Sequence, residues 1–432
     1  AALNTPYTNL KYYGQVLDNI SYRLNTLLNS HSPYTTRHFL AALTGALLIL
    51  FSGLITVSLG GYSAGIITVL FLLLSPRILG HSLNNLKDVP FALGYLMTLW
   101  GLVESVKIFP KIKLSHMSAL TIGFGIAFGI RAGGLIIIPM VFLFSFLNWI
   151  KYNYGKDFKT WLPWWTGIKI FSALTLAISV GYLLGILYWP YALQDPLRNP
   201  FESLKMMTNY EVSIRQVFNG EWIWSEKLPW FYGLKWIIIS SPIVILAGFV
   251  IHIVFIKRLS WVITALLFFA CLFPVFWTIL KGSNLYGGWR QLLFVYPLIC
   301  IISALGWWWL YSRFKPLLLK LLFVGILVFG LSGPALHTIR NHPVEYAYFN
   351  QFVGGINHVN GIYETDYYFH GVKRATKWLE KRISESENFV PVTVASNFPI
   401  SEYYRSTSTT FTTNYMNYYN RGKFDWDYGI FS

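Results

Sequence analysis

Four groups of polar residues stand beside long apolar runs, and their side chains are of kinds that grip phosphate or move protons. In SPRILGHSLNNLKDVP, residues 75–90, Arg77, His81, Lys87 and Asp88 share one stretch between two apolar segments. Ionisable groups at a bilayer edge can serve simply as snorkelling anchors. A Lys-Asp pair directly before Pro90 also suits chemistry, although Asp88 as a cap on the following helix explains the residue equally well. In GIRAGG, 129–134, Arg131 interrupts an apolar stretch and is followed by two glycines that let another group approach the backbone. An arginine there needs an anion, either a lipid headgroup or a substrate phosphate. In KGSNLYGGWRQLLFVYP, 281–297, a Gly-rich turn presents Tyr286, Trp289 and Arg290. A guanidinium beside aromatic rings suits a phosphate whose tail stays in lipid; the same residues also make an aromatic-belt anchor. The fourth group, 341–368, is dense in Tyr, Asn and Gly and includes Glu364 and Asp366. It has the composition of a sugar-stacking surface and equally that of a soluble α/β subdomain.

The elements that must position these groups are membrane helices. Of 432 residues, 54% are hydrophobic and 12% charged, against roughly 25% charged in soluble domains, which excludes a soluble enzyme. Ten spans are expected, at 39–58, 60–75, 90–108, 116–132, 134–150, 166–189, 236–256, 260–280, 291–312 and 316–335. A bilayer crossing takes roughly 20 residues, so the short runs 60–75 and 134–150 are read as tilted or broken.

Lys+Arg outnumber Asp+Glu by 34 to 18, and most of this surplus is a topology signal. Lys107, Lys111 and Lys113; Lys151, Lys156, Lys159 and Lys169; Lys257 and Arg258; and Arg313, Lys315 and Lys320 fall in alternate loops, which are cytoplasmic by the positive-inside rule. Residues 1–38, 76–89, 190–235, 281–290 and 336–432 then lie outside. Nucleic acid is not a partner, because the cations are split between loops instead of forming one stripe. Cys271 and Cys300 lie inside apolar runs and offer neither a disulfide framework nor metal-ligand spacing.

The chain reads as an outer-face arm (1–38), a transmembrane bundle (39–335) and a small outer α/β domain (336–432). In the loop 190–235, Phe201, Leu204 and Met207 at helical spacing, followed by Ile214, Val217 and Phe218, suggest a segment in the membrane interface. Strands are expected at 390–396 and 425–432, with a short helix at 399–404. The first 38 residues lack an apolar signal sequence, and both ends look truncated.

Taken in order, NLKYYGQVLD (9–18), SPRILGHSLNNLKDVPFA (75–92), the Arg131 turn, LPWFYG (228–233), YGGWRQLLFVYP (286–297) and HPVEYAYFNQFVGG with YETDYY resemble membrane glycosyltransferases of the GT-C superfamily. The branch resembled is that of the protein O-mannosyltransferases and the lipid A aminoarabinose transferase. The resemblance implies a GT-C-like helical bundle in the cell (inner) membrane, its active face periplasmic or extracellular. It implies inverting transfer of a sugar from a polyprenyl-phosphate donor to a protein, lipid A or glycan acceptor. It requires no cofactor and leaves room for a divalent metal. Asp88 matches the family's outer-loop aspartate near the reaction centre, and Asp18 lies in the part resembling the far end of the first outer loop. The family's main base would then precede Ala1. Arg290 matches the arginine of a Y-x-G-x-R turn, but Gln291 stands where the family usually has His, and Gly287 where it has an acid. Catalytic candidates are therefore Asp88 and Asp18; substrate-binding candidates are Arg77, Lys87, Arg131, Tyr286, Trp289 and Arg290. Arg77, Lys87, Asp88, Arg131 and Arg290 are expected to line one cavity open to lipid and water. A catalytically silent homologue or assembly subunit is the alternative. A lipid-linked substrate transporter is disfavoured, because the charges sit at the outer edge and not near the midplane.

Overall fold

Apolar runs free of turn residues have no way to satisfy their backbone in lipid except as helices. The computed structural model describes residues 9–29, 33–156, 161–208, 213–366, 368–385, 392–397, 411–416, 422–423 and 425–431. In chain order the helices are α1 (Val16–Leu27), α2 (Pro33–Gly60), α3 (Tyr62–Leu73), α4 (Pro76–Asn84), α5 (Asp88–Ile108), α6 (Leu114–Ile130), α7 (Ile137–Asn153), α8 (Trp164–Ile186), α9 (Pro190–Gln194), α10 (Asn199–Thr208), α11 (Tyr232–Ser240), α12 (Ile243–Val254), α13 (Trp261–Lys281), α14 (Tyr296–Tyr311), α15 (Leu317–Asn341) and α16 (His370–Ser384). Among the described residues, seven stretches are long and apolar enough to cross a bilayer, or nine if each of two bent pairs is one span; α6 is apolar but shorter. These elements occupy the ten expected positions, and the protein is an α-helical, multi-pass membrane protein.

Two spans depart from expectation. The first bends by 68° between α3 and α4, so much of the outer loop expected at 76–89 is helical. Pro76 opens that helix, where its missing N–H costs nothing, and Ser75 Oγ pins the bend to Tyr296 on α14 at 2.6 Å. The second, expected as one helix over 236–256, breaks by 112° between α11 and α12. Pro242 lacks an N–H and drives Ser241 out of helical geometry.

That break frees carbonyls, and Asn350 answers them. Its Nδ2 donates to Ile238 O at 2.6 Å and Ser241 O at 2.8 Å, and its N–H donates to Ile239 O at 2.8 Å. Replacing Asn350 by Ala should therefore destabilise the protein by roughly 2 kcal/mol through unmet buried carbonyls. Thermal unfolding in detergent measures this, and an unshifted midpoint would remove Asn350 from its role at the break.

The most enclosed helix is α14, whose window with the turn before it is 94% buried, whereas α15 is 17% buried and peripheral. α14 packs on α2, α3, α12 and α13, and α5 packs on α2 and α6. The basic loops meet at one end. Lys107 Nζ donates to Ser58 O at 2.7 Å, and the rings of Phe109 and Tyr152 lie 5.3 Å apart. Gly60 abuts Leu305 near the end of α14, and Arg313 just beyond α14 stacks on Phe255.

The loop 190–235 holds α9, α10 and a hairpin of β1 (Arg215–Phe218) and β2 (Glu221–Trp224). Asn219 and Gly220 take φ of 58° and 81°, the left-handed pair that a two-residue hairpin turn requires. The helical spacing of Phe201, Leu204 and Met207 thus belongs to α10, and Val217 and Phe218 lie on a strand.

Residues to Tyr363 form one compact unit and Glu364–Ser432 a second, which differs from the division at 336 read from composition. The second unit contains α16 and a parallel sheet in the order β4-β3-β5, with β3 (Val392–Ser396), β4 (Phe411–Tyr415) and β5 (Tyr428–Ile430). The strands expected at 390–396 and 425–432 correspond to β3 and β5; the helix expected at 399–404 lies outside the described residues.

Candidate active site

Three distant segments converge on one carboxylate. Asp88 is the first residue of α5, its side chain 3% exposed. Arg131, at the end of α6, donates from Nη2 to Asp88 Oδ1. Arg290, in the turn before α14, donates from Nη1 to Asp88 Oδ2 at 3.1 Å. Asn85 Nδ2 completes the set at 2.7 Å from Oδ2.

Asp88 is therefore not the helix cap. That task falls to Asn85, whose Oδ1 accepts from the backbone N–H of Lys87 at 3.0 Å and of Asp88 at 2.8 Å. One amide thus both starts α5 and orients the carboxylate, a role that an asparagine in the polar run HSLNNLKD does not advertise.

The flank beside Arg131 is built by the amino-terminal arm. Tyr13 pairs with Arg131 in an antiparallel bridge, and Gly14 N–H donates to Ile130 O at 3.2 Å. A Cβ on Gly14 would stand 1.9 Å from Gly129 O, so the arm's close approach uses Gly14 and Gly129; of the two glycines after Arg131, Gly134 meets the backbone of Phe128, where a Cβ would stand 2.7 Å from Cα, and Gly133 faces open space. Lys87 Nζ sits 4.4 Å from the centroid of the Tyr13 ring. Burial pushes the Lys87 amine below the usual lysine range, Asp18 and Asp88 act to raise it, and Arg131 and Arg290 lower it further. Asp18 itself forms an ion pair with Arg37 at 2.7 Å, both partly exposed.

On the other flank, buried Arg77 on α4 places Cζ 5.5 Å from the Trp236 ring of α11. Its Nη1 lies 3.6 Å from where a side chain on Gly288 would begin, so Arg77 reaches the turn that carries Arg290. Arg290 Cζ is 4.9 Å from the Tyr286 ring centroid. Trp289 is fully buried and donates from Nε1 to Ser240 Oγ at 2.7 Å. It secures the turn to α11 from beneath and does not face a substrate.

Arg77, Lys87, Asp88, Arg131 and Arg290 thus gather at one end of the bundle. The central three are in direct contact, and side-chain exposure falls from 21% at Arg131 to 13% at Arg290 and 3% at Asp88. In the fourth polar group Tyr346, Tyr348 and Phe349 are buried, whereas Gln351, Phe352, Asn357, His358 and Asn360 are exposed. In the second unit, Asp366 accepts from the N–H of Tyr368 at 3.1 Å and of Gly371 at 3.0 Å and so caps α16. Among the described residues no group of three or more His, Cys, Asp or Glu is placed to hold a metal ion.

The helical bundle has a GT-C-like fold. Among solved structures, ArnT from Cupriavidus metallidurans bound to undecaprenyl phosphate is similar at a TM-score of 0.54 and 12% identity, over 93% of this chain and 76% of that one. The Archaeoglobus fulgidus oligosaccharyltransferase in its apo form gives 0.52 at 14% identity, over 95% of this chain and 57% of that one. AglB from the same organism, in complex with an inhibitory peptide and a dolichol-phosphate, gives 0.50 at 13%, over 89% and 54%. The chain spans a little over half the length of these archaeal proteins. No family model and no curated protein sequence matches it.

Proposed function

We propose that this protein transfers a sugar from a polyprenyl-phosphate carrier to an acceptor hydroxyl or phosphate at the outer membrane face, with inversion at the sugar carbon. The observation that carries this reading is the Asp88 carboxylate held between Arg131 and Arg290 at the end of a membrane bundle. Arg77 and Lys87 add two cations beside them, and Asp18, which acts on Lys87, is paired with Arg37. Fixed positive charge at a bilayer edge complements a phosphate whose tail must stay in lipid. The lipid phosphates bound by ArnT and AglB fit the same reading.

Breaking the bond from sugar carbon to phosphate oxygen leaves an extra negative charge on the phosphate. A preorganised arginine stabilises that charge without reorganising at the moment of reaction. Arg290 serves this role, with Tyr286 stacked on its guanidinium. Arg131, the more exposed partner of Asp88, turns toward the incoming phosphate while Arg290 stays anchored. Both Asp88 oxygens are engaged, so Asp88 orients the arginines and is not the group that deprotonates the acceptor. The proton of an acceptor hydroxyl passes to a base other than Asp88, for which Asp18, paired with Arg37, is the candidate among these residues, and none of these steps uses a metal. Trp289 positions the turn, and the acceptor is a protein, lipid A or another glycan.

Purified protein in nanodiscs, given radiolabelled polyprenyl-phosphate sugars and a panel of acceptors, should yield a glycosylated product of inverted anomeric configuration. Donor binding without transfer to any acceptor would instead mark a silent homologue or assembly subunit, and no donor binding would refute the site. Donor affinity should also fall as pH rises, beginning below the usual lysine range of about 10.4, because Lys87 loses its proton early. K87R keeps its charge throughout and should flatten the alkaline limb of a pH titration of polyprenyl-phosphate binding.

A further inference from the structure

The β1–β2 hairpin has two unlike faces. Its register pairs Arg215 with Trp224 and Val217 with Trp222 on one face, and Gln216 with Ile223 and Phe218 with Glu221 on the other. Gln216 and Phe218 are buried against the bundle, whereas Trp222 and Trp224 are 63% and 46% exposed. Arg215 Cζ stacks 5.1 Å from the Trp222 ring. Two exposed tryptophans side by side form a patch that a monomeric surface seldom leaves uncovered.

The surroundings identify what covers it. Trp230, 68% exposed, lines a recess of about 70 Å³ with Val275, Thr278 and Ile279 at the outer end of α13. There α13 turns Trp277 and Leu280 outward, 40% and 78% exposed, and Lys281 Nζ lies 5.1 Å from the Trp277 ring. That is the pattern of a helix leaving hydrocarbon for the headgroup layer, which is about 5–8 Å deep on each side. The hairpin stands directly on the chain leaving α13, because Gln216 Nε2 donates to Leu285 O at 3.0 Å and Tyr232 OH to Gln216 Oε1 at 2.7 Å.

We propose that the Trp222–Trp224 face is a membrane anchor seated in the headgroup layer of the bilayer, with Arg215 facing lipid phosphate. Its aromatic surface continues the lipid-facing surface of α13 through Trp230. Through Gln216 the anchor fixes the height of Leu285, the residue before Tyr286, and thereby of the turn that carries Arg290. This second step rests on the proposed phosphate-binding role of Arg290, whereas the seating of the tryptophans does not.

The test therefore reads depth and not activity. Full-length W222C, and separately W224C, is labelled with an environment-sensitive fluorophore in nanodiscs; Cys271 and Cys300 are buried and do not compete. Lipids carrying a nitroxide at the headgroup should quench most of the emission. Lipids with the nitroxide deep in the tail, and aqueous iodide, should each quench much less. Quenching by iodide alone would place the face in water and overturn the proposal. Protection from all three quenchers would mean that protein covers the face and would equally overturn it. Loss of sugar transfer with headgroup quenching retained would count against the proposed function and leave the anchor standing.

Discussion

Replacing Arg290 by alanine should slow sugar transfer roughly 100- to 1000-fold while weakening binding of the polyprenyl-phosphate sugar donor much less. The asymmetry follows from charge. In the bound donor the phosphate is shared with the sugar, and in the transition state it is becoming a free leaving group. A guanidinium held by Asp88 and stacked on Tyr286 meets the larger charge without having to move. Single-turnover rates and equilibrium binding of the intact polyprenyl-phosphate sugar in the absence of acceptor, measured on one preparation, separate the two effects. Equal losses in both would make Arg290 an ordinary binding residue.

Asp88→Ala should be among the most destabilising single substitutions in the bundle, costing about 3–5 kcal/mol. It leaves two guanidiniums facing each other at the edge of the bilayer and strips Asn85 of one partner. The triple variant D88A/R131Q/R290Q, which removes both charges as well, should recover most of that loss while remaining inactive. Thermal unfolding in one detergent decides the matter. No recovery in the triple variant would show that Asp88 stabilises α5 through something other than its arginines.

The charged members of the cluster were legible in the sequence for one physical reason: an ionised side chain at the end of an apolar run is costly, so its position is information in itself. Neutral groups carry no such signal. Asn85 sits in a polar run where an amide costs nothing, although it caps α5 and aligns Asp88. Trp289 looks like any interfacial aromatic, since composition does not reveal that its ring faces inward to Ser240. The break between α11 and α12 was hidden because the window across Pro242 stays apolar on both sides, and hydropathy averages over a single imino acid. The carbonyls it frees are met by Asn350, more than a hundred residues away. Asn219-Gly220 was a readable hairpin signal, overlooked because the helical spacing of Phe201, Leu204 and Met207 led into it.

The position of α14 also orders the making of the molecule. Among the described residues one further candidate span follows this central helix, which is the element that delivers Arg290. Arg131 leaves the ribosome 159 residues earlier, the difference between 290 and 131, an interval of about 8–30 s at ordinary elongation rates. Asp88 has one arginine at hand throughout that time and must wait for the other. The helices that will surround α14 are inserted before it, apart from α15, so lipid or a chaperone fills its place until it arrives. Closure of the site thus waits for α14, and a cell inherits from this geometry a window in which the helices before α14 are in place but the anion site is half made.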